Sequence, residues 1–120
     1  MIIGIGTDII EIDRIKIAIE RSERFKEKIF TDNELSYLKN KNVESYAGYF
    51  CAKEAISKAL GTGISGFSWK DIEILKINSV PNVRLHNAAL QIANQKGIKT
   101  IHISISHSKD YAIAMAVAEG

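Results

Sequence analysis

The groups in this 120-residue chain that could do chemistry lie in three stretches. Asp8 closes a β-branched run interrupted by Gly4 and Gly6. Lys53, Glu54 and Lys58 sit inside Tyr49-Phe-Cys-Ala-Lys-Glu-Ala-Ile-Ser-Lys-Ala-Leu-Gly-Thr-Gly63. His107 stands between hydroxyls in Ser104-Ile-Ser-His-Ser108. Two carboxylates from separate elements are a usual way to hold Mg²⁺, which keeps several waters and takes further ligands from substrate phosphates. Lysine and histidine give positive charge to phosphates, and serine or threonine gives directed hydrogen bonds. The parts suit a Mg²⁺-dependent site for a phosphate ester. Each also has a plainer reading: Asp8 as a strand-end residue, Glu54 and Lys58 as a surface pair one helical turn apart, His107 as a satisfied structural histidine.

The helix predicted over about Val43 to Leu60 must position the middle group. At about 100° per residue, Ala52, Ala55, Ile56 and Ala59 share one face, with Gly48 behind them. Lys53, Ser57, Glu54 and Lys58 share an opposite arc of roughly 140° with Ala47 and Phe50, as a cleft wall would. Gly61 is the expected stop, and the glycines of Gly61-Thr62-Gly63 allow backbone N–H groups to approach an anion. Ile2 to Ile10 reads as a strand with Gly4, Gly6 and Asp8 on one face. Ile98 to Ser106 reads as another. In the last strand Ala112, Ala114, Ala116 and Ala118 alternate with Tyr111, Ile113, Met115 and Val117, so its alanine face can seat the central helix closely.

The remaining chain supplies partners and packing. Glu11 to about Ile29 reads as helix, broken near Ser22, with Ile12, Ile15 and Ile19 as its apolar face. Arg14, Arg21, Arg24 and Lys28 form a basic stripe beside Phe25, suited to an acidic helical partner or simply a solvated face. Thr31 and Glu34 have capping-box spacing. Trp69 packs over the core, and Ile72 to Ile77 is a strand. Pro81-Asn82 is expected to turn into a short strand, Val83 to Leu85. Asn87 is expected to cap a short helix that Gly97 stops, and His86 and His102 lie at the surface. The fold class is α+β, a mostly antiparallel sheet against a long central helix, in one domain spanning 1–120.

Composition excludes little but does so usefully. A net charge of +2 with 46% hydrophobic and 25% charged residues fits a globular protein without a nucleic-acid signature. No apolar run approaches the roughly 20 residues of a membrane span, and the N-terminus lacks the positive region of a signal peptide. The single cysteine, Cys51, makes no intrachain disulfide and suits a small core hydrophobe in a reduced cytoplasm.

Three stretches together carry a resemblance: Gly4-Ile-Gly-Thr-Asp-Ile-Ile-Glu-Ile-Asp-Arg-Ile15, Phe50-Cys-Ala-Lys-Glu-Ala-Ile-Ser-Lys-Ala-Leu-Gly-Thr-Gly63 and Ser104-Ile-Ser-His-Ser-Lys-Asp-Tyr-Ala112. In this order and spacing the chain resembles, end to end, the holo-acyl-carrier-protein synthases, the small bacterial 4′-phosphopantetheinyl transferases. The resemblance implies transfer of 4′-phosphopantetheine from coenzyme A to a serine of apo acyl carrier protein for fatty acid biosynthesis, releasing adenosine 3′,5′-bisphosphate. It implies that Asp8 and Glu54 hold Mg²⁺ and that Lys58 neutralises the pyrophosphate. Lys53, Gly61, Thr62, Gly63, His107 and Ser108 would lie near the nucleotide. Arg14, Arg21, Arg24, Phe25 and Lys28 would meet the acidic carrier protein. Glu54, Asp8 through water, or His107 could take the serine proton. The resemblance also implies a homotrimer with sites between subunits, Asp8 from one chain and His107 from another. The family usually has arginine where this chain has Tyr49, so one phosphate contact is absent or supplied elsewhere, and alanine where it has Cys51.

Two other readings use the same residues. A non-catalytic module for coenzyme A or a nucleotide would have little need of Asp8 and Glu54 together. A Mg²⁺-dependent phosphohydrolase would leave the basic first helix unexplained.

Overall fold

The computed structural model describes residues 1–120. Strand β1 (Ile2–Glu11) leads into α1 (Ile12–Arg21), α2 (Glu23–Ile29), α3 (Asp32–Leu38) and the long α4 (Val43–Ala59). After a 3-10 turn at Trp69–Asp71 come β2 (Ile72–Ile77), β3 (Val80–Leu85), α5 (Asn87–Lys96), β4 (Thr100–His107) and β5 (Tyr111–Glu119). One antiparallel sheet has the order β1-β5-β4, and β2 and β3 form a separate hairpin. The class is α+β, with α4 laid across the larger sheet.

Small residues set how closely α4 sits. Ala112, Ala114, Ala116 and Ala118 alternate along β5 on its buried face. Gly4, Gly6 and Asp8 lie opposite Ala118, Ala116 and Ala114 on β1. A Cβ at Gly6 would collide with the Ala55 carbonyl of α4, and one at Gly4 with the Ala59 carbonyl. The two glycines let the helix backbone rest on the strand backbone beside Asp8.

Behind α4 lies a polar layer. Lys53 and Glu34 are both fully buried and paired at 2.6 Å. Glu34 also accepts from the Thr31 and Ile74 backbone N–H groups, and Thr31 forms the expected capping box with it. Glu73 accepts from Thr31 and Asn33 and lies 3.0 Å from His86. These bonds outweigh the cost of its burial and hold its carboxyl below the usual range. Trp69 stacks on Phe50, whose ring in turn faces Phe25.

Several local expectations are corrected. The hairpin turns at Asn78-Ser79, both at positive φ, and not at Pro81-Asn82. Pro81 lies within β3 opposite Lys76. Asparagine tolerates the left-handed conformation that a two-residue hairpin turn needs. His86, not Asn87, is the N-cap of α5, and the Asn87 side chain bonds Asp71 instead. Ser22 is extended and caps α2, so Arg14 and Arg21 lie on one helix and Arg24 and Lys28 on the next. The basic residues therefore do not form one continuous helical stripe.

Candidate active site

The carboxylates come from β1 and α4. Asp8 is held at the sheet–helix seam with its side chain 18% exposed. Lys58 Nζ lies 3.2 Å from Asp8 Oδ1 and donates to the Thr7 carbonyl at 3.0 Å. Lys58 thus pairs with Asp8 across the seam and not with Glu54 along the helix. Cys51, two turns before Lys58 on the same side of α4, donates its thiol toward Asp8 Oδ2 at 3.5 Å or the Ala112 carbonyl at 3.6 Å. Glu54 is half-buried. Burial raises its carboxyl above the usual range, and the Asp8 charge adds to this, while Lys58 opposes it. The Asp8 charge thus acts on Glu54, and the two carboxylates repel.

That repulsion is the feature a cation would relieve. Both donors are hard oxygens, as Mg²⁺ prefers, and two side chains suit an ion that completes its shell with water and phosphate oxygens. No set of three or more His, Cys, Asp or Glu residues forms a closed cage. The residues fit an open Mg²⁺ site held by Asp8 and Glu54.

The rest of the expected cleft wall divides. Lys53 shares the α4 arc with Glu54 but is fully buried, so it does not present its charge to a cofactor. Its ammonium donates to the Ile29 carbonyl at 2.8 Å and the Trp69 carbonyl at 3.3 Å, and it pairs with Glu34. An ammonium has three donors, and all are used. Burial pulls its pKa down, and Glu34 opposes that shift. Ser57 is equally buried and donates to the Glu54 carbonyl at 2.6 Å. The expectation that Lys53 contacts the nucleotide is therefore corrected: its charge is spent inside the fold. The Gly61–Gly63 turn is corrected in one respect too. Gly61 N–H donates to the Lys58 carbonyl, and those of Thr62 and Gly63 to the Ser57 carbonyl, so none is free to cradle an anion.

His107 lies elsewhere. It ends β4, opposite Ala112, and lines a pocket of about 260 Å³ with Tyr37, Ser45, Gly48, Tyr49 and Lys76. Ser45 and Tyr49 project from the opposite side of α4 to Glu54 and Lys58. Within one chain the helix separates His107 from Asp8. Ser108 is exposed, and its hydroxyl accepts from the Tyr111 N–H at 3.1 Å, fixing the β4–β5 turn. Tyr49 stacks on Tyr37 with centroids 5.8 Å apart. The Tyr49 hydroxyl is buried without a hydrogen-bond partner, and burial raises its pKa. Tyr37 and Lys76 were invisible as neighbours of His107 in the sequence, because they arrive from α3 and β2. The contact of Cys51 with Asp8 was equally hidden, although the strand face and helix face that carry them were both readable.

On the first helices, Arg14, Arg21, Arg24 and Lys28 are exposed, and none forms an ion pair. Arg14 and Arg21 flank a shallow groove floored by Ile17 and Ala18. Phe25 is half-buried against Phe50.

Comparison with known proteins shows the family and the fold. The family model of the 4′-phosphopantetheinyl transferase superfamily matches residues 4–116. A holo-[acyl-carrier-protein] synthase of Alkaliphilus metalliredigens is 55% identical over 121 residues, covering 98% of this chain and 99% of the relative. The crystal structure of the holo-(acyl-carrier-protein) synthase of Bacillus anthracis in complex with CoA (3′,5′-ADP) is 39% identical with a TM-score of 0.83, covering 100% of this chain and 98% of that one. That of Helicobacter pylori in complex with coenzyme A is 36% identical with a TM-score of 0.86, covering 96% and 99%. The match runs the length of the chain and includes β1, α4 and β4, the elements that carry Asp8, Glu54 and His107, and so the chain belongs to the 4′-phosphopantetheinyl transferase superfamily.

Proposed function

We propose that the chain, acting as one domain over residues 1–120, transfers 4′-phosphopantetheine from coenzyme A to a serine of an apo acyl carrier protein. The observation that carries this reading is the seam itself: Lys58 lies 3.2 Å from Asp8, and the Asp8 charge acts on Glu54. Near-full-length identity of 55% to a holo-[acyl-carrier-protein] synthase supports it. The serine oxygen attacks the phosphorus that bears the pantetheine arm. The bond from that phosphorus to the bridging oxygen breaks, and adenosine 3′,5′-bisphosphate leaves. Phosphoryl transfer asks a protein for positioning and charge stabilisation more than for covalent chemistry. Asp8 and Glu54 would hold Mg²⁺. When bound, that ion offsets negative charge on the pyrophosphate oxygens. Lys58 is half exposed and adds a cation on the same side. The serine proton passes to Glu54, to Asp8 through water, or to His107.

We also infer a cytoplasmic homotrimer whose sites lie between subunits. Two observations support it. The outer face of the β1-β5-β4 sheet exposes Ile5, Ile9, Ile113 and Met115 side by side. His107 and its pocket lie across α4 from Asp8, an arrangement in which His107 of a second copy would complete the site at Asp8. The carrier protein would dock on Arg14, Arg21, Arg24 and Lys28, where an acidic helix meets charge around the Ile17–Ala18 groove. No helix is long and apolar enough to cross a membrane.

The test is release of adenosine 3′,5′-bisphosphate from coenzyme A in the presence of an apo carrier protein. Asp8→Asn and Glu54→Gln should each abolish release while leaving thermal unfolding near wild type. Full activity in either variant would remove the metal-site assignment.

A further inference from the structure

One helix holds the Asp8 carboxylate at both of its oxygens. Lys58 Nζ lies 3.2 Å from Oδ1, and the Cys51 thiol points to Oδ2 at 3.5 Å. Cys51 and Lys58 are seven residues apart, which puts them within about 20° of one line along α4. They reach Asp8 from two levels of the helix and so bracket it. Glu54 lies between them in sequence and feels the Asp8 charge.

Packing alone asks only for a small side chain at position 51. Cys51 is fully buried in the core, and alanine would fill most of the same place. What the thiol adds is one proton, and burial keeps it on the sulfur. Two acceptors compete for that proton at nearly equal distance, Asp8 Oδ2 at 3.5 Å and the Ala112 carbonyl at 3.6 Å. A carboxylate is the stronger acceptor, and the dry surroundings strengthen the bond. The proton therefore points to Asp8 while that carboxylate keeps its full charge. A cation that draws on the charge tips the balance toward Ala112. Neither arrangement leaves the buried thiol without a partner.

We propose that Cys51 is a positioning residue for Asp8: its thiol fixes the carboxylate at the oxygen Lys58 does not hold, and turns to the Ala112 carbonyl when Asp8 binds a cation. This rests on the metal-site reading above. Carboxylates that bind metals are themselves held by hydrogen bonds, and losing such a partner weakens the metal. The chain has one cysteine, so a single S–H stretching band reports the bond. Infrared spectra are recorded on wild type and Asp8→Asn, without metal and with Mg²⁺ plus acetyl-coenzyme A, which brings no thiol of its own. In wild type the band should move to higher frequency on adding metal and donor, as the acceptor changes from carboxylate to amide carbonyl. In Asp8→Asn it should stand at higher frequency from the start. Cys51→Ala should bind Mn²⁺, followed by loss of the free-ion paramagnetic resonance signal, about two- to fivefold more weakly, a modest factor because a thiol is a weak donor. The Mg²⁺ concentration for half-maximal transfer should rise by the same factor, with the carrier-protein KM unchanged. A band unmoved by the metal and by Asp8→Asn, or Mn²⁺ bound by Cys51→Ala as tightly as by wild type, would leave Cys51 a packing residue and overturn the proposal. Failure of the wild type to bind Mn²⁺ would overturn the metal-site reading and this proposal with it. That result is distinct, because the band in Asp8→Asn would still report the bond between Cys51 and Asp8.

Discussion

Cys51 illustrates how position, more than residue type, decides what a side chain can do. It has no exposed surface and lies 3.5 Å from an Asp8 oxygen. Burial, with the Asp8 charge adding to it, pushes the thiol up to about 12. The thiolate is the reactive form, so the native protein should resist alkylation by iodoacetamide for hours and be labelled once, rapidly, in denaturant. Fast labelling of the folded protein would show that the seam opens and that Asp8 is less enclosed than described. Lys53 and Glu54 make the same point as a pair. They are neighbours in sequence and share an arc of α4, so helical periodicity treats both as cleft residues. What separates them is the cover: Glu34 from α3 and carbonyls from Ile29 and Trp69 close fully over Lys53, while Glu54 stays half-buried. Those partners are distant in sequence, and no spacing rule reaches them. Asp8 and Glu54 stood out in the sequence as motif residues, whereas the cover over Lys53 did not.

At the scale of elements, the site depends on how near α4 lies to β1. Gly4, Gly6 and the alanines of β5 declare that approach in the sequence, since only small residues repeat on one strand face. Gly6→Ala should push α4 away, because its Cβ would meet the Ala55 carbonyl and not a flexible side chain. A destabilisation of about 1–3 kcal/mol is expected from overpacking of this kind. The rate should fall more than stability explains, as Glu54 and Lys58 move relative to Asp8. Chemical denaturation and transfer rate, measured on the same preparation, check both halves. A stable, fully active Gly6→Ala protein would mean that the contact is looser than the structure has it. The strands and α4 were readable from alternation and helical spacing. The β2–β3 turn was not, because Pro81 is a strong turn signal that here sits on a strand opposite Lys76, while Asn78-Ser79 makes the reversal.

For the whole molecule, the question is what covers the outer face of the sheet. Ile5, Ile9, Ile113 and Met115 are 64%, 62%, 44% and 52% exposed, and they adjoin across β1 and β5. A contiguous apolar face of this kind marks an interface. If three copies share it, replacing Ile113 or Met115 by lysine should lower the mass in light scattering from three chains to one. Transfer should fall with it, because His107 of one copy would no longer stand near Asp8 of another. A wild-type monomer with full activity would contradict the shared site. The sequence showed the alternation that creates this face, but a strand pattern does not say whether the second face meets solvent or another copy.

The most direct measurement is the intact mass of an apo acyl carrier protein after incubation with this protein, coenzyme A and Mg²⁺, with a chelator in parallel. The carrier serine should gain one phosphopantetheine, and the gain should be absent with chelator and absent with Glu54→Gln. An unchanged carrier mass, with coenzyme A still bound by the protein, would contradict the transferase and leave a binding module in its place.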